Sequence, residues 1–550
     1  RDQGTSWDRI SPDLTTQNPV KQQQEKSGGI TVDNSSAEMH TTIYSISESP
    51  LTAGTIWVGT DDGNVQLTRD GGASWTNLTR NLKLGPENWI SWVEASRHAP
   101  GTAYATVDRH SWGDMAPHVL RTTDYGKTWT RLAGPATPGV RGYAHVIKED
   151  RLNANVLFLG TEFGLFISRD AGANWEAFRP GNFPAVAVRD IALAQKGDDL
   201  VMATHGRGIW IIDDISPLRA LTPAVTASNV TLFASDTVQQ RIAGNGGWAE
   251  GDASYAGQNP ADGAVITYFQ KSRHVIGRMK LEIIGPDGKL VEELPTSKRK
   301  GLNRIVWSMR TKPPTVPPAA SLAGNSIIGQ RVVPGAYKVR LTKAGDVSEV
   351  PLNIGLDARA AFTLADRQAQ YDGAQRVKAL FGRMTGVTFG LIGMKAQAEK
   401  VAADTTRPAK ERAAAEALAK KADALKKEVV ATTEGGAITG EERLRENMDA
   451  AYGQVISTEG RPPAYALARV DALEKELAEV EAAFAAMKAG PATALNSLRI
   501  RAGQPAIDLA AASYPEETAR GGPVSALARG LVGTRYFGKF SALEVQGEKD

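Results

Sequence analysis

A short motif recurs four times in the first third of this 550-residue chain. Three copies read Ser/Thr-x-Asp-x-Gly-x-x-Trp, as in "TRDGGASW", "TTDYGKTW" and "SRDAGANW", and the chain opens on a fourth, "RDQGTSW". The tryptophans recur every 45 to 70 residues or so, about the length of one four-stranded propeller blade. Each later copy follows a β-rich run such as "TIWVGTDDGNVQL" or "VLFLGTEFGLFI". The repeat therefore predicts a series of antiparallel β-blades.

The residue types of the motif suit a tight turn. An Asp side chain accepts backbone N–H bonds, Gly supplies a positive φ, and Trp packs between neighbouring blades. We therefore expect a structural role for these motif residues: Asp2, Trp7, Asp70, Trp75, Asp124, Trp129, Asp170 and Trp175.

The motif resembles the Asp box, or BNR repeat, of sialidases, xyloglucanases and sortilin-type propellers. Longer stretches, among them "LGTEFGLFISRDAGANW" and "DLVMATHGRGIWIIDD", resemble large exported bacterial proteins described as sortilin-like or glycosyl-hydrolase-like BNR-repeat proteins. The resemblance covers most of the chain, which is similar to the C-terminal half of such a protein. It implies a β-propeller, a periplasmic or extracellular location, and a signal peptide on a missing N-terminal part. It leaves the activity open, because fold does not imply function.

The first motif copy begins one residue late, because the chain starts at Arg1. A chain that starts within the turn between strands C and D supplies only strand D of its first blade. Three blades ending at Trp75, Trp129 and Trp175 and a partial blade ending in "GIWIIDD" would follow. Such an arc leaves apolar sheet faces and strand edges uncovered. We therefore expect missing N-terminal blades, in the same precursor or in a separate chain, as partners.

Composition excludes several classes of function. The formal net charge is +3 with 23% charged residues, so nucleic acid is not an expected partner. The chain has no Cys, which excludes disulfides, thiolate metal sites and Cys nucleophiles. No apolar run approaches the roughly 20 residues of a membrane-spanning helix. No metal or other cofactor is expected, although the carboxylate pairs Asp61-Asp62 and Asp213-Asp214 leave a structural Ca²⁺ open.

In an antiparallel blade the motif lies between strands C and D, so the B–C turns lie on the opposite face of the disc. Three of those turns carry carboxylates, and glycoside hydrolysis needs two, one as acid and one as base or nucleophile. The candidate catalytic residues are Asp62, Asp108 and Glu162. The candidate ligand-binding residues are Trp112, His110, Arg141, His205 and Arg207. Asp and Gly are also ordinary β-turn residues, so plain turn chemistry is the alternative.

Three functions fit this pattern. The first is an exported propeller that binds a carbohydrate or protein ligand on the face of its B–C turns without catalysis. The second is a glycoside hydrolase with an acid/base carboxylate pair on that face. The third is a scaffold subunit of a larger assembly.

The fold class predicted for the whole chain is mainly β with a C-terminal α region. Residues 1–215 would be propeller blades, and residues 216–357 an immunoglobulin-like antiparallel β-sandwich entered through a Pro-containing linker and carrying a mobile Pro-rich loop, "TKPPTVPPAASLAGNS". Residues 358–490 read as an antiparallel helical bundle or coiled-coil hairpin, which either packs internally or forms an oligomerising arm. Its first helix would be capped by Thr363, and its last would end at Gly490. Residues 491–550 would be an extended or loosely packed tail.

Overall fold

A computed structural model describes residues 4–26, 40–179, 183–242, 261–433 and 440–510. The predicted Asp-box residue Asp2 and most of the predicted tail lie outside these ranges. The described chain is mostly β-sheet with a C-terminal helical region, and this part of the predicted fold class is confirmed.

Four successive antiparallel sheets form the first part of the chain, and we number them blades 1 to 4. Blades 1 to 3 have four strands each in simple meander order, and blade 4 has three. In chain order the strands are β1 (Ile43–Glu48), β2 (Ile56–Thr60), β3 (Val65–Thr68), β4 (Thr76–Asn77), β5 (Trp89–Ala95), β6 (Ala103–Arg109), β7 (Asp114–Thr122), β8 (Thr130–Ala133), β9 (Ala144–Glu149), β10 (Leu157–Thr161), β11 (Gly164–Ser168), β12 (Glu176–Ala177), β13 (Val188–Leu193), β14 (Leu200–Thr204) and β15 (Ile209–Ile212). The first strand of each blade is called A, and the others B, C and D.

Each Asp box is closed by a carboxylate that gathers the donors of its own turn. Asp124 accepts from the Thr122 hydroxyl at 2.8 Å and from the N–H and hydroxyl of Thr128 at 2.9 and 2.7 Å. The Thr122 hydroxyl in turn accepts from the N–H of Gly126, whose φ is 79°. The boxes around Asp70 and Asp170 repeat this pattern. The side-chain choices at these positions thus follow from the turn geometry.

Two of the box tryptophans, Trp75 and Trp175, bind the strand before their blade through the indole N–H, whereas the indole N–H of Trp129 is buried with no partner among the described residues. The indole N–H of Trp175 donates to the carbonyl of Leu132, in strand D of blade 2, at 3.2 Å. The indole N–H of Trp75 donates in the same way to the carbonyl of Ile10 at 3.0 Å. Trp175 is buried among Val119, Ala133 and other side chains between blades 2 and 3. Each of these bonds crosses from one blade to the strand before it in the sequence.

Two short helices follow blade 4, α1 (Ser216–Ala220) and α2 (Pro223–Ala227). Ile215, Leu218 and Leu221 pack into the core between blades 3 and 4, together with Phe269 and Leu302 of the next domain. The predicted linker is therefore part of a folded core, because its spaced apolar residues have a surface to bury against.

The next domain is a pair of packed sheets. One has the order β16-β18-β21 and the other β17-β23-β22-β19-β20. The strands are β16 (Val230–Leu232), β17 (Val238–Gln240), β18 (Ala264–Gln270), β19 (Met279–Ile284), β20 (Leu290–Leu294), β21 (Gly301–Trp307), β22 (Gly335–Lys343) and β23 (Asp346–Leu356). Strand β17 pairs parallel to β23, which departs from the expected all-antiparallel arrangement.

The predicted mobile Pro-rich loop of this domain is docked on the helical region, so that expectation was wrong. The carbonyl of Pro317 accepts from the buried guanidinium of Arg445 at 2.9 Å. The N–H and hydroxyl of Ser326 both donate to Asp449, at 2.8 and 2.6 Å. Pro residues lack a donor, so the loop uses its carbonyls and its Ser and Asn groups to bind the helices.

The helical region comprises α3 (Leu364–Ala403), α4 (Ala409–Val429), α5 (Leu444–Ser457), α6 (Ala464–Met487) and α7 (Thr493–Arg501). Thr363 and Asp366 form a capping box at the start of α3, as the sequence predicted. The predicted helix end at Gly490 was wrong, because a π-helical turn over Lys488–Ala492 continues α6 into α7. Pro491 lies within that wider turn, which accommodates a residue without an N–H.

We expect removal of Trp175 to destabilise the blades. Trp175→Ala leaves a cavity between blades 2 and 3 and should lower the free energy of unfolding by about 3–5 kcal/mol. Trp7 has the same motif position but is 90% exposed, so Trp7→Ala should change it by less than about 0.5 kcal/mol. Urea unfolding followed by Trp fluorescence and circular dichroism measures both values. Equal effects of the two substitutions would contradict the anchoring role.

The Asp boxes should make the fold sensitive to acid. Hydrogen bonds from Ser74 and Thr128 lower the pKa values of Asp70 and Asp124 to about 2. A lowered folded-state pKa adds stability above the unfolded value, about 3.9, and that stability is lost as the pH falls from about 4 towards 2. Asp124→Asn should lower the melting temperature at pH 7 and reduce its decline below pH 4. Asp346→Asn, at an exposed position at the start of β23, is the control and should do neither.

Candidate functional site

The B–C turns lie at the end of the blades opposite the Asp boxes. Each turn N–H donates to the residue just before strand A of its blade: Asp61 to Thr42 at 3.1 Å, Glu162 to Tyr143 at 3.1 Å, and His205 to Ala187 at 2.9 Å. The boxes instead bond to the A–B loops, as in the N–H of Tyr125 to the carbonyl of Gly101. The two sets of residues therefore occupy opposite faces.

The same hydrogen bonds fix which turn residues are equivalent. Asp61, Asp108, Glu162 and His205 occupy one position in the four blades, Asp108 through its pairing with Trp89. Asp62, the predicted catalytic residue of blade 1, is one residue out of register with them, so that prediction was wrong in its position. The carboxylate of Asp62 accepts from the N–H of Thr16 at 2.6 Å and from the Thr60 hydroxyl at 2.5 Å.

Every strand A carries a one-residue bulge at the same place. The ladder to strand B skips one residue in each blade, and the four extra residues are Tyr44, Ser91, His145 and Arg189. A bulge bends the strand and redirects the side chain of the extra residue. These four residues therefore form a repeated row beside the B–C turns. None of the four was predicted from the sequence, because alternation alone does not reveal an unpaired residue.

The redirected side chains meet across the blades. A guanidinium N–H of Arg189 lies 3.1 Å from Nδ1 of His145, and another donates to the Tyr143 hydroxyl at 3.1 Å. The ring of Trp89 packs edge-on against Tyr44 and His145, with centroids 4.8 and 5.8 Å apart. We name this group, with Asp108 and His110, the inner-strand cluster.

Asp108 is the buried anion of the inner-strand cluster. Its side chain is fully buried; Oδ1 accepts from the N–H of His110 at 3.0 Å and lies 2.6 Å from Nδ1 of that ring. Oδ2 lies 3.5 Å from Nδ1 of His145. Burial alone raises the pKa of Asp108, but the interactions with His145 and His110 outweigh it, and the pKa is lowered. Asp108 therefore hydrogen-bonds the His110 ring and lies beside the His145 ring, whose Nδ1 also faces Arg189.

His110 is partly exposed, and Tyr143 is buried against it. Their rings are stacked, with centroids 4.4 Å apart and planes 18° apart. Burial raises the pKa of Tyr143, the Arg189 guanidinium opposes this, and the carboxylates of Asp108 and Glu162 add to the rise. Glu162 is thus electrostatically coupled to the cluster, and its Oε2 is buried without a hydrogen-bond partner. The predicted residues Asp108, His110 and Glu162 are brought together.

Other candidate residues lie further out. Arg141 stands over the ring of Phe163 at 5.5 Å, beside the Glu162 turn. Trp112, in a 3₁₀ turn after β6, is 36% exposed, with the ammonium group of Lys21 5.7 Å from its ring centroid. His205 and Arg207 are exposed in the blade 4 turn, and within the described ranges no contact joins their side chains to the cluster.

The described residues provide neither a cluster of metal ligands nor a helix that could span a membrane. They contain no group of three or more His, Asp or Glu side chains arranged to hold a metal ion. None of their helices combines the length and apolarity needed to cross a bilayer.

Comparison with known proteins gives distant structural neighbours. No family model and no curated protein matches the chain. Solved structures that are similar include YCF48 bound to D1 peptide (20% identity, 31% of this chain and 51% of that one, TM-score 0.24) and the GH74 xyloglucanase of Xanthomonas campestris (17%, 60% and 47%, 0.24). PorZ of the Porphyromonas gingivalis type-IX secretion system is another (15%, 61% and 54%, 0.24). The three are β-propeller proteins, and this chain spans about half the length of each.

Asp108 should matter more to stability than its equivalent in blade 1. Asp108→Asn removes a buried charge that two histidines engage, and should lower the free energy of unfolding by about 1–3 kcal/mol. Asp61→Asn alters a half-exposed residue that accepts from the Thr42 N–H, and should cost under about 1 kcal/mol. Urea denaturation at pH 7 compares them. A larger loss for Asp61→Asn would overturn the assignment of Asp108 as the central anion.

Proposed function

We propose that this protein is an exported Asp-box β-propeller of the BNR-repeat, sortilin-like class that binds a carbohydrate on the face of its B–C turns without hydrolysing it. The observation that carries the proposal is the inner-strand cluster, which gathers aromatic rings and hydrogen-bonding groups from all four blades. The paired sheets would be an immunoglobulin-like module, and the helices an antiparallel bundle that supports it.

The chemistry of the face favours a sugar. Aromatic rings stack on the apolar faces of sugar rings, and Tyr44, His110 and Trp112 all offer partly exposed ring surface. Arg189 and the Tyr143 hydroxyl supply donors beside those rings. Aromatic residues with a few fixed polar groups are the usual lining of a small-molecule site, and the inner-strand cluster has that composition. A protein ligand is the alternative occupant of the same face.

The state of Asp108 argues against hydrolysis. A glycosidase needs one carboxyl held protonated as the acid and a second that reaches the sugar. Asp108 has a lowered pKa and a fully buried side chain, so it meets neither requirement. Glu162 would be the remaining carboxyl of a hydrolase, and its unpartnered Oε2 keeps that alternative open.

The packing of the helices argues against the alternative function as a scaffold subunit. Val470, Leu473 and Leu477 recur at spacings of three and four along α6, and all three are buried in a core shared with α3 and α5. Apolar residues that are buried within the chain cannot also contact a partner, so these three do not form an oligomerising arm. We therefore place ligand recognition on the blades.

Binding to a panel of soluble polysaccharides, including xyloglucan, tests the proposal by calorimetry. Tyr44→Ala and Trp112→Ala should each weaken binding about tenfold, the effect of losing roughly 1.4 kcal/mol of stacking. Tyr465→Ala removes an exposed aromatic ring from α6, away from the blades, and is the control. Equal affinity in all four proteins, or no binding to any polysaccharide, would contradict carbohydrate recognition at this face.

The same polysaccharides separate binding from hydrolysis. If the protein is non-catalytic, no new reducing ends accumulate with the wild type or with Glu162→Gln. Release of sugar that Glu162→Gln abolishes, with the melting temperature unchanged, would replace the binding proposal with the hydrolase.

A further inference from the structure

One end of the two-sheet domain presents an exposed apolar tip. Residues 271–278 connect β18 to β19, and this loop places Val275 and Ile276 side by side at 75% and 86% exposure. Among the described residues no Leu, Ile or Val is more exposed than Ile276. Neither side chain belongs to the core of the domain, which is built from residues of the two sheets. Adjacent aliphatic residues in contact with water indicate a surface that another molecule covers.

A second connection lies against this loop. Residues 295–300 join β20 to β21, and the N–H of His274 donates to the carbonyl of Lys298 at 2.9 Å. The ammonium group of Lys298 donates to the carbonyl of Gly277 at 3.3 Å. Gly277 has a φ of 93°, a left-handed conformation that favours glycine, directly after Ile276. The two connections therefore form one surface, which we name the basic loop pair.

The basic loop pair concentrates positive charge. It contains no Asp or Glu and six cationic residues, all of them exposed: Lys271, Arg273, Arg278, Lys298, Arg299 and Lys300. Within the described ranges only Arg278 of the six has an ion-pair partner, the Glu293 carboxylate at 2.7 Å. The whole chain has a formal net charge of only +3, so this concentration of charge is a local feature.

We propose that the basic loop pair binds the surface of a bilayer that contains anionic phospholipid. Val275 and Ile276 enter the boundary between headgroups and acyl chains, and the surrounding cations contact lipid phosphates. An apolar surface flanked by Lys and Arg is the combination that holds proteins in the membrane interface. The long cationic side chains reach the phosphates while the apolar tip is buried. This inference is independent of which ligand the inner-strand cluster binds.

The composition of the surface favours a bilayer over a folded protein. A stable protein interface buries about 800 Å² on each partner, around aromatic or Arg anchors that fill pockets. The basic loop pair contains no Phe, Tyr or Trp, and its two aliphatic side chains lie at the turn of a loop. Flexible Lys and Arg side chains suit lipid headgroups, which are mobile anions that impose no fixed geometry.

Sedimentation with vesicles tests the proposal on the whole chain. The protein should pellet with vesicles of phosphatidylcholine mixed with phosphatidylglycerol and stay in solution with phosphatidylcholine alone. Arg273→Gln combined with Arg299→Gln should weaken binding roughly fivefold for each charge removed. Lys410→Gln combined with Lys475→Gln removes two exposed charges from α4 and α6. This matched control should bind the mixed vesicles as the wild type does.

The apolar tip has its own variant. Val275→Ser combined with Ile276→Ser keeps every charge and should weaken binding about tenfold, because the tip no longer gains from leaving water. Leu152→Ser removes an aliphatic side chain that is 58% exposed in blade 3, and should leave binding unchanged. All these positions are exposed, so the melting temperatures should equal that of the wild type and show that the variants fold.

The absence of native Cys allows a direct measurement of insertion. Ile276→Cys labelled with an environment-sensitive fluorophore should show brighter, blue-shifted emission with the mixed vesicles. The same label on Leu152→Cys should not respond. Inorganic phosphate alone should leave the emission of both labelled proteins unchanged, which separates a bilayer from a free anion.

Three results would overturn the proposal. They are a protein that does not pellet with the mixed vesicles, equal binding by the wild type and the Val275→Ser, Ile276→Ser variant, and an unchanged emission of labelled Ile276→Cys. The first result would assign the basic loop pair to an acidic protein partner. The other two would show adsorption through charge without insertion of the apolar tip.

Discussion

The contact of three box tryptophans with the blade or strand before them is the interaction on which the blade array depends. Trp75 and Trp175 make it through an indole hydrogen bond, whereas Trp129 makes it through its ring, which packs against Trp57. A blade is an antiparallel meander, and the hydrogen bonds within its own sheet do not determine the position of the next blade. The Asp carboxylate shapes the turn, the turn fixes the indole, and the indole bonds to a carbonyl one blade away, as Trp175 does with Leu132. A local sequence motif is thereby converted into a relation between sheets. The apolar faces of neighbouring blades then pack over the distance that this bond sets.

The inner-strand cluster follows from that regular spacing. The blades bring equivalent positions together, and the bulges direct one side chain from each blade into a common region. His145 touches Arg189 of the next blade and Trp89 of the previous one, which requires consistent spacing on both sides. Asp108 then orients the His110 ring from inside the protein and lies beside the His145 ring. The accessible surface of the cluster is aromatic and cationic, while its anion is hidden.

The sequence predicted the elements that depend on local chemistry. The Asp boxes, the strand positions and the Thr363 capping box all arise from residues within a few positions of one another, so their motifs were visible. The placement of Asp62 in the candidate site failed by one residue, because the register depends on a long-range pairing between turn and strand A. Arg189 and His145 were not predicted, because a bulged residue has no signature in an alternating pattern. The Pro-rich loop was misjudged for a related reason, since its partners Arg445 and Asp449 lie more than 100 residues away.

The repeated bulge frees one residue of each strand A from the packing constraints of a regular strand. A residue of a regular strand must fit the pleat and its cross-strand neighbour, which limits the choice of side chain. Tyr44, Ser91, His145 and Arg189 are outside the ladder, so four chemically different residues share one backbone geometry. A single mutation can therefore change the bulged side chain of a blade without altering the strand pairing of its sheet. The array therefore offers evolution a set of independently variable positions on a constant frame, much as antibody loops vary on a fixed sandwich.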